Sequence, residues 1–186
     1  RQALWTLVGV VVLVVVARVD YHRWRRWATP LLLLSLVPLV LVIIPGIGTE
    51  VHGARRWLGS GSFTVQPSEF AKLAVLLWVA DLLARRASLV RRLKAGLVPV
   101  MLVLVTVCGL IMLQPNLGTM VVVAGMVLAV CFVAGVPLAP MGFVGAAGGA
   151  AVAALAFAAD YRRSRLVGFW DPWNDPLGEG YQSIQS

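Results

Sequence analysis

Few residues in this chain could do chemistry, and they fall in short groups. Arg55 and Arg56 stand together before Trp57, and Glu69 and Lys72 lie three positions apart in Gln66-Pro-Ser-Glu-Phe-Ala-Lys72. Arg162, Arg163 and Arg165 follow Asp160, and Asp171, Asp175 and Glu179 are gathered in a stretch rich in Pro and Gly. A guanidinium is a planar fork of donors suited to phosphate oxygens, an ammonium adds a compact positive charge, and a carboxylate can take the proton of a hydroxyl. Together these groups make a toolkit for an anionic ligand and a proton acceptor. Each also has a plainer reading. Glu69 and Lys72 would meet on one helix face as a local ion pair, the Arg162–Arg165 group could serve Asp160 or lipid head groups, and Asp-Pro commonly opens a turn. Position alone does not choose among Asp171, Asp175 and Glu179.

The elements that must hold these groups are set by composition. The chain has 186 residues, 60% hydrophobic and 13% charged, with a mean hydropathy of +0.87. A soluble domain carries about a quarter charged residues, so the bilayer has to be the solvent for this much apolar surface. Apolar runs at 2–17 and 28–47 are candidate spans, the second with Pro38 as a kink, and a third at 66–84 contains Glu69, Lys72 and Asp81. From Ala95 to Ala159 there are 65 residues without a charge, enough for three spans broken at Gln114-Pro-Asn-Leu-Gly118 and Gly135-Val-Pro-Leu-Ala-Pro140. The expectation is an all-α polytopic membrane protein, one transmembrane domain over 1–186 with six helices. The runs lack the polar and apolar alternation of barrel strands. Pro67 or Ser68 suits the first turn of the third helix and Glu69 its dipole, while Asp81 and Arg85 have the spacing of a structural pair. Arg1 opens the chain with no Met and runs into a span without a signal-peptide pattern, so the sequence reads as a piece of a longer protein.

The net charge of +8 does not indicate nucleic acid, because the basic residues lie in clusters between apolar runs. Cys108 and Cys131 sit inside apolar runs and have neither the number nor the spacing of a metal site or a disulfide framework. Arg18, Arg23, Arg25 and Arg26 lie between the first two spans; Arg85, Arg86, Arg91, Arg92 and Lys94 lie between the third and fourth. Two spans separate these clusters, so they share a side, and the positive-inside rule makes it the cytoplasm. The 48–68 loop and the 160–186 segment then face outward. Trp24, Trp27, Trp57, Trp170 and Trp173 fall near the interfaces, as an aromatic belt does. Five arginines on the outward side (55, 56, 162, 163 and 165) run against the orientation bias, which an outward anion site would explain.

Four stretches carry a family resemblance: Gly53-Ala-Arg-Arg-Trp57, Gln66-Pro-Ser-Glu-Phe-Ala-Lys72, Gln114-Pro-Asn-Leu-Gly-Thr119 and Asp175-Pro-Leu-Gly-Glu-Gly-Tyr-Gln182. In this order they resemble the FtsW/RodA family, the SEDS proteins, and the resemblance covers the whole chain as helices two to seven of a fold of about ten. The lead-in Trp170-Asp-Pro-Trp173 looks more like the division branch than the elongation branch. The resemblance implies a peptidoglycan glycosyltransferase that polymerises lipid II beside a class B penicillin-binding protein and other division or elongation proteins. It implies a bacterial plasma-membrane location with the active site outside, and no nucleic-acid partner. Residue by residue, it carries the essential loop aspartate to Asp175 and the cavity pair to Glu69 and Lys72. The Arg-Trp of the earlier loop falls on Arg56 and Trp57. Arg55, Gln66, Arg162, Arg165, Tyr181 and Gln182 complete the expected substrate contacts. Asn116 stands where the family usually has Asp, and His52 where Asn or Lys commonly precedes the Gly-Ala-Arg-Arg-Trp stretch.

The implied reaction suits the residues. Transfer from an α-linked undecaprenyl pyrophosphate to an acceptor 4-hydroxyl gives a β-linked glycan, so the displacement inverts and needs one base. Glycosidases use a second carboxyl to protonate a poor leaving group; pyrophosphate departs without that proton if cations hold its growing charge. Asp175 is the expected base, with Arg55, Arg56 and Lys72 as cations and Arg162, Arg163 and Arg165 as helpers. A divalent cation, Mg or Mn, is compatible with the pyrophosphate, although no ligand cluster demands one. Apolar helix surfaces would hold the polyprenyl tails among the membrane lipids. Two other readings use the same family features: a lipid II flippase, which would need a polar route through the charge-free 95–159 region, and a non-catalytic division scaffold.

Overall fold

The computed structural model describes residues 2–51, 54–60 and 63–157. Among them are six α-helices: α1 (Gln2–Arg18), α2 (Tyr21–Leu41), α3 (Pro67–Arg85), α4 (Leu97–Met112), α5 (Leu117–Val133) and α6 (Leu138–Phe157). Between α2 and α3 lie three short strands, β1 (Gly48–Val51), β2 (Ala54–Ser60) and β3 (Phe63–Val65). The chain divides into two units, Arg1–Val136 and Pro137–Ser186.

In the first unit α3 is the central helix, packed against α2, α4 and α5. Its buried residues Ser68, Ala71, Val75, Val79 and Leu83 recur at helical spacing. The N-terminal half of that stripe is small, which lets backbones approach closely where lipid offers no hydrophobic drive for association. Two similar stripes face one another in the α4–α5 hairpin: Val100, Leu104, Val107 and Ile111 on α4, and Met120, Val123, Val127 and Cys131 on α5. The turn between them is chemical as well as steric. The Asn116 side-chain oxygen caps α5 by accepting from the Thr119 N–H at 3.3 Å. Gln114, 1% exposed, donates through Nε2 to the Leu39 carbonyl at 3.1 Å near the end of α2. That carbonyl lies in the last turn of α2, where intrahelical donors run out.

The helix boundaries differ from the apolar runs in two places. Helix α2 begins at Tyr21 rather than 28, because Asp20 caps it, its carboxylate accepting from the His22 N–H at 3.0 Å, and arginine is a good helix former. It stops at Leu41 rather than 47. The chain turns through Gly46 at φ +91°, and a side chain on Gly48 would strike the Val42 carbonyl. Pro30 and Pro38 both lie inside α2. Helices α1 and α2 are not a hairpin; the axis bends by 110° between them. From Trp5 to Arg18 α1 is exposed throughout, an apolar surface suited to lipid or to other protein.

Among the described residues, α6 alone is long and apolar enough by itself to span a bilayer, over Leu138–Leu155. Helices α4 and α5 have 16 and 17 residues. At 1.5 Å per residue that is about 24–26 Å, short of a hydrocarbon core of about 30 Å. Leu113, exposed just past the end of α4, carries the hydrophobic surface of that helix further.

The 48–68 loop contains the feature the sequence reading missed. Its strands form an antiparallel sheet in the order β1-β2-β3. Thr49 pairs with Trp57 and Glu50 with Arg55, so the register shifts between them and Arg56 is the extra residue of a bulge. On the other side Leu58, Gly59 and Ser60 face Val65, Thr64 and Phe63.

Candidate functional site

Two predicted groups come from neighbouring elements at the N-terminal end of α3. The first is on the helix itself. Gln66 is its N-cap, Pro67 sits in the first turn where its missing N–H costs nothing, and Gln66 Nε2 donates to Ser68 Oγ at 2.9 Å. This start sets Glu69 and Lys72 one turn apart, and Lys72 Nζ meets Glu69 Oε2 at 2.7 Å. The Glu69 side chain is 54% exposed and that of Lys72 22%, so the pair is half in the open. Exposed ion pairs contribute only about 0–1 kcal/mol, which makes stability a weak reason for placing two charges in an apolar helix. Beside them runs a groove of about 350 Å³ lined by Glu69, Phe70, Lys72, Leu73, Val122 and Met126. The last two lie one turn apart on α5, so a charged pair stands against an otherwise apolar trough.

The second group is on the sheet, and β2 packs against α3. Bulges bend a strand and re-aim a side chain. Arg56, the bulge residue, has its Nε buried without a hydrogen-bond partner among the described residues. A buried guanidinium nitrogen without an acceptor is costly, and such atoms are rare enough in folded proteins to require an account. Arg55 and Trp57 are half-buried on either side of it. Two further buried atoms without a partner among the described residues, Gln114 Oε1 and Asn116 Nδ2, lie in the α4–α5 turn.

Asp175, Arg162, Arg163, Arg165, Tyr181 and Gln182 lie outside the described residues, as do Asp171, Glu179 and His52. Among the described residues no group of three His, Cys, Asp or Glu side chains is arranged to hold a metal ion.

At the other end of α3, Asp81 pairs with Arg85 at 2.6 Å, as the spacing requires. It also takes Arg25 of α2 at 2.8 Å, a partner 56 residues away that local spacing could not reveal. Gln114 was also missed as a structural residue. The one available signal was an amide beside a proline in an otherwise apolar stretch, a group that must find a partner when buried.

The fold is that of a polytopic helical membrane protein with a sheet on one loop. A family model described as FTSW_RODA_SPOVE, cell cycle protein, matches residues 1–186. The chain is 39% identical to stage V sporulation protein E of Bacillus subtilis (strain 168) and 41% identical to a probable peptidoglycan glycosyltransferase FtsW of Trichlorobacter lovleyi. Each match covers all of this chain and 51% and 49% of the relative. Among solved structures it resembles a chain of a peptidoglycan synthase complex that coordinates polymerization and crosslinking, with a TM-score of 0.74 and 34% identity over 99% of this chain and 54% of that one. It also resembles the rod shape determining protein RodA of Thermus thermophilus, with a TM-score of 0.69 and 34% identity over 83% of this chain and 49% of that one. The chain belongs to the FtsW/RodA/SpoVE family. It spans about half the length of the curated relatives it matches.

Proposed function

We propose that the protein carrying this chain is a peptidoglycan glycosyltransferase that polymerises lipid II on the outer face of the bacterial plasma membrane, in division or shape maintenance. The observation that carries the reading is the Glu69–Lys72 pair standing against an apolar groove. A polyprenyl pyrophosphate has that same character, an anion joined to a long apolar tail. Related chains named for this activity, and a structural relative from a synthase complex, support it.

In the proposed step Asp175 accepts the proton of the acceptor 4-hydroxyl as its oxygen attacks the donor anomeric carbon. The bond from that carbon to the pyrophosphate breaks with inversion, and the electron pair leaves on the pyrophosphate. Lys72 and Arg56 supply positive charge at the leaving group, with Arg55, Arg162, Arg163 and Arg165 alongside, and Glu69 holds Lys72 in position. Arg56, whose Nε has no acceptor among the described residues, has a donor to spare for a phosphate oxygen. Trp57, Gln66, Tyr181 and Gln182 complete the substrate contacts. A Mg or Mn ion at the pyrophosphate is compatible with this scheme, and no step needs it. A class B penicillin-binding protein is the proposed partner, crosslinking the strands that this protein makes.

The test is polymerisation of lipid II by the full-length protein with that partner. Glycan strands from wild type, and polymerisation slowed about 10²–10⁴-fold in Asp175→Asn, are expected. Translocation of lipid II between leaflets without any polymerisation would replace the reading with a flippase.

A further inference from the structure

A second recess lies at the opposite end of the α2–α3 pair from the Glu69–Lys72 groove. It has a volume of about 510 Å³ and is lined by His22, Arg25, Arg26, Thr29 and Arg85. Every titratable group in that lining is basic. Helix α2 supplies the first four at positions i, i+3, i+4 and i+7, a single helical face, and α3 supplies Arg85 from its last turn.

The acids nearby do not balance these charges. Asp81 is shared between Arg25 at 2.8 Å and Arg85 at 2.6 Å, so one carboxylate serves two guanidiniums. Asp20 is engaged by His22, its carboxylate 2.8 Å from Nδ1 and accepting from the His22 N–H, and these contacts hold its carboxyl below the usual range. Arg26 has no ion pair among the described residues. Arg23, Arg25 and Arg26 also crowd the start of α2, which has no acid in its first turn. A helix start favours anions and is the wrong end for three cations. Two independent arguments, the uneven ion pairing and the helix dipole, therefore call for an added negative charge in the recess.

The membrane identifies its source. The long apolar part of α2 begins within a turn of Arg26, with Trp27 56% exposed beside it and Leu33 and Leu34 exposed farther along. Tryptophan at that level marks the headgroup region, and basic pockets between helix ends on the cytoplasmic side suit anionic head groups. The geometry points to a binding site for the phosphate of an anionic phospholipid, held by Arg26, Arg25 and Arg85, with its acyl chains along α2. This site does not depend on the polymerase reading.

The experiment uses the delipidated full-length protein in neutral detergent and native mass spectrometry. Phosphatidylglycerol, phosphatidylcholine and inorganic phosphate are added separately. Wild type should retain phosphatidylglycerol at least tenfold more tightly than phosphatidylcholine, and inorganic phosphate at the same concentration should not displace it. Arg26→Gln should weaken phosphatidylglycerol about tenfold, the effect of losing one charge-assisted hydrogen bond. Lys94→Gln, an exposed cation outside the recess, should leave binding unchanged. Equal retention of the two lipids, displacement by phosphate, or equal losses in the two variants would each overturn the site. If Arg26→Gln does not accumulate, the wild-type preference between the two lipids decides.

Discussion

At the residue scale, Lys72 and Glu69 pose the sharpest question, because a contact at 2.7 Å fits both a helix-surface pair and a ligand-binding pair. Exchanging the two residues separates the cases. Glu69→Lys with Lys72→Glu rebuilds a local pair but moves the ammonium by three positions. Polymerisation should fall at least 100-fold in this variant while membrane levels stay near wild type; recovery of normal activity would reduce the pair to a surface contact. Asp175 makes a parallel claim. General-base assistance is worth about 10²–10⁴-fold, so Asp175→Asn should lose that much polymerisation yet still bind lipid II. Asp171→Asn and Glu179→Gln should lose far less, because a turn tolerates the amide. Both comparisons are read as initial rates at matched protein levels with the partner bound.

At the scale of elements, the α5 cap and the sheet bulge carry separate expectations. Asn116 uses its side-chain oxygen on the Thr119 N–H, a role that a carboxylate fills equally well. Asn116→Asp should therefore leave thermal stability nearly unchanged, whereas Asn116→Ala should cost about 1 kcal/mol, seen as a lower unfolding midpoint in detergent. The equivalence explains why an amide can stand in that motif. How far the elements were legible depended on the range of the forces that make them. The helix α3 start was readable because Pro67, Glu69 and the i, i+3 spacing act locally. The start of α2 was missed because Asp20 and three arginines read as a polar loop, although a cap and good helix formers were both present. The sheet was missed because its strands are only 4, 7 and 3 residues long, too short for alternation to show through a bulge. Arg56 could be recognised as a cation from sequence, but its unpaired Nε depends on a register that only strand pairing sets.

At the scale of the whole molecule the expectation is topology. Thr64, exposed on β3, and Ser88, exposed after α3, lie at opposite ends of a single helix. In a background lacking Cys108 and Cys131, Thr64→Cys should react with an impermeant thiol reagent in intact cells. Ser88→Cys should react only after the membrane is opened. The reverse pattern would invert the orientation and move the proposed chemistry to the cytoplasm. Hydropathy and charge set this expectation without the structure, since both depend on composition over about twenty residues rather than on contacts. The 110° bend between α1 and α2 was not legible, because the apolar run of α1 carries no signal of its direction.

The hydrogen bond from Gln114 to the Leu39 carbonyl also bears on biogenesis. The two residues are 75 positions apart, and the donor follows the acceptor in the chain. At about 5–20 residues per second, a ribosome adds Gln114 about 4–15 s after Leu39. During that interval α2 has been made while its Leu39 carbonyl still lacks its eventual donor. Interfacial water, or another protein at the insertion site, has to satisfy it until the α4–α5 hairpin arrives. This partner of α2 is thus delivered late, and its docking cannot be completed before the fourth helix has been made.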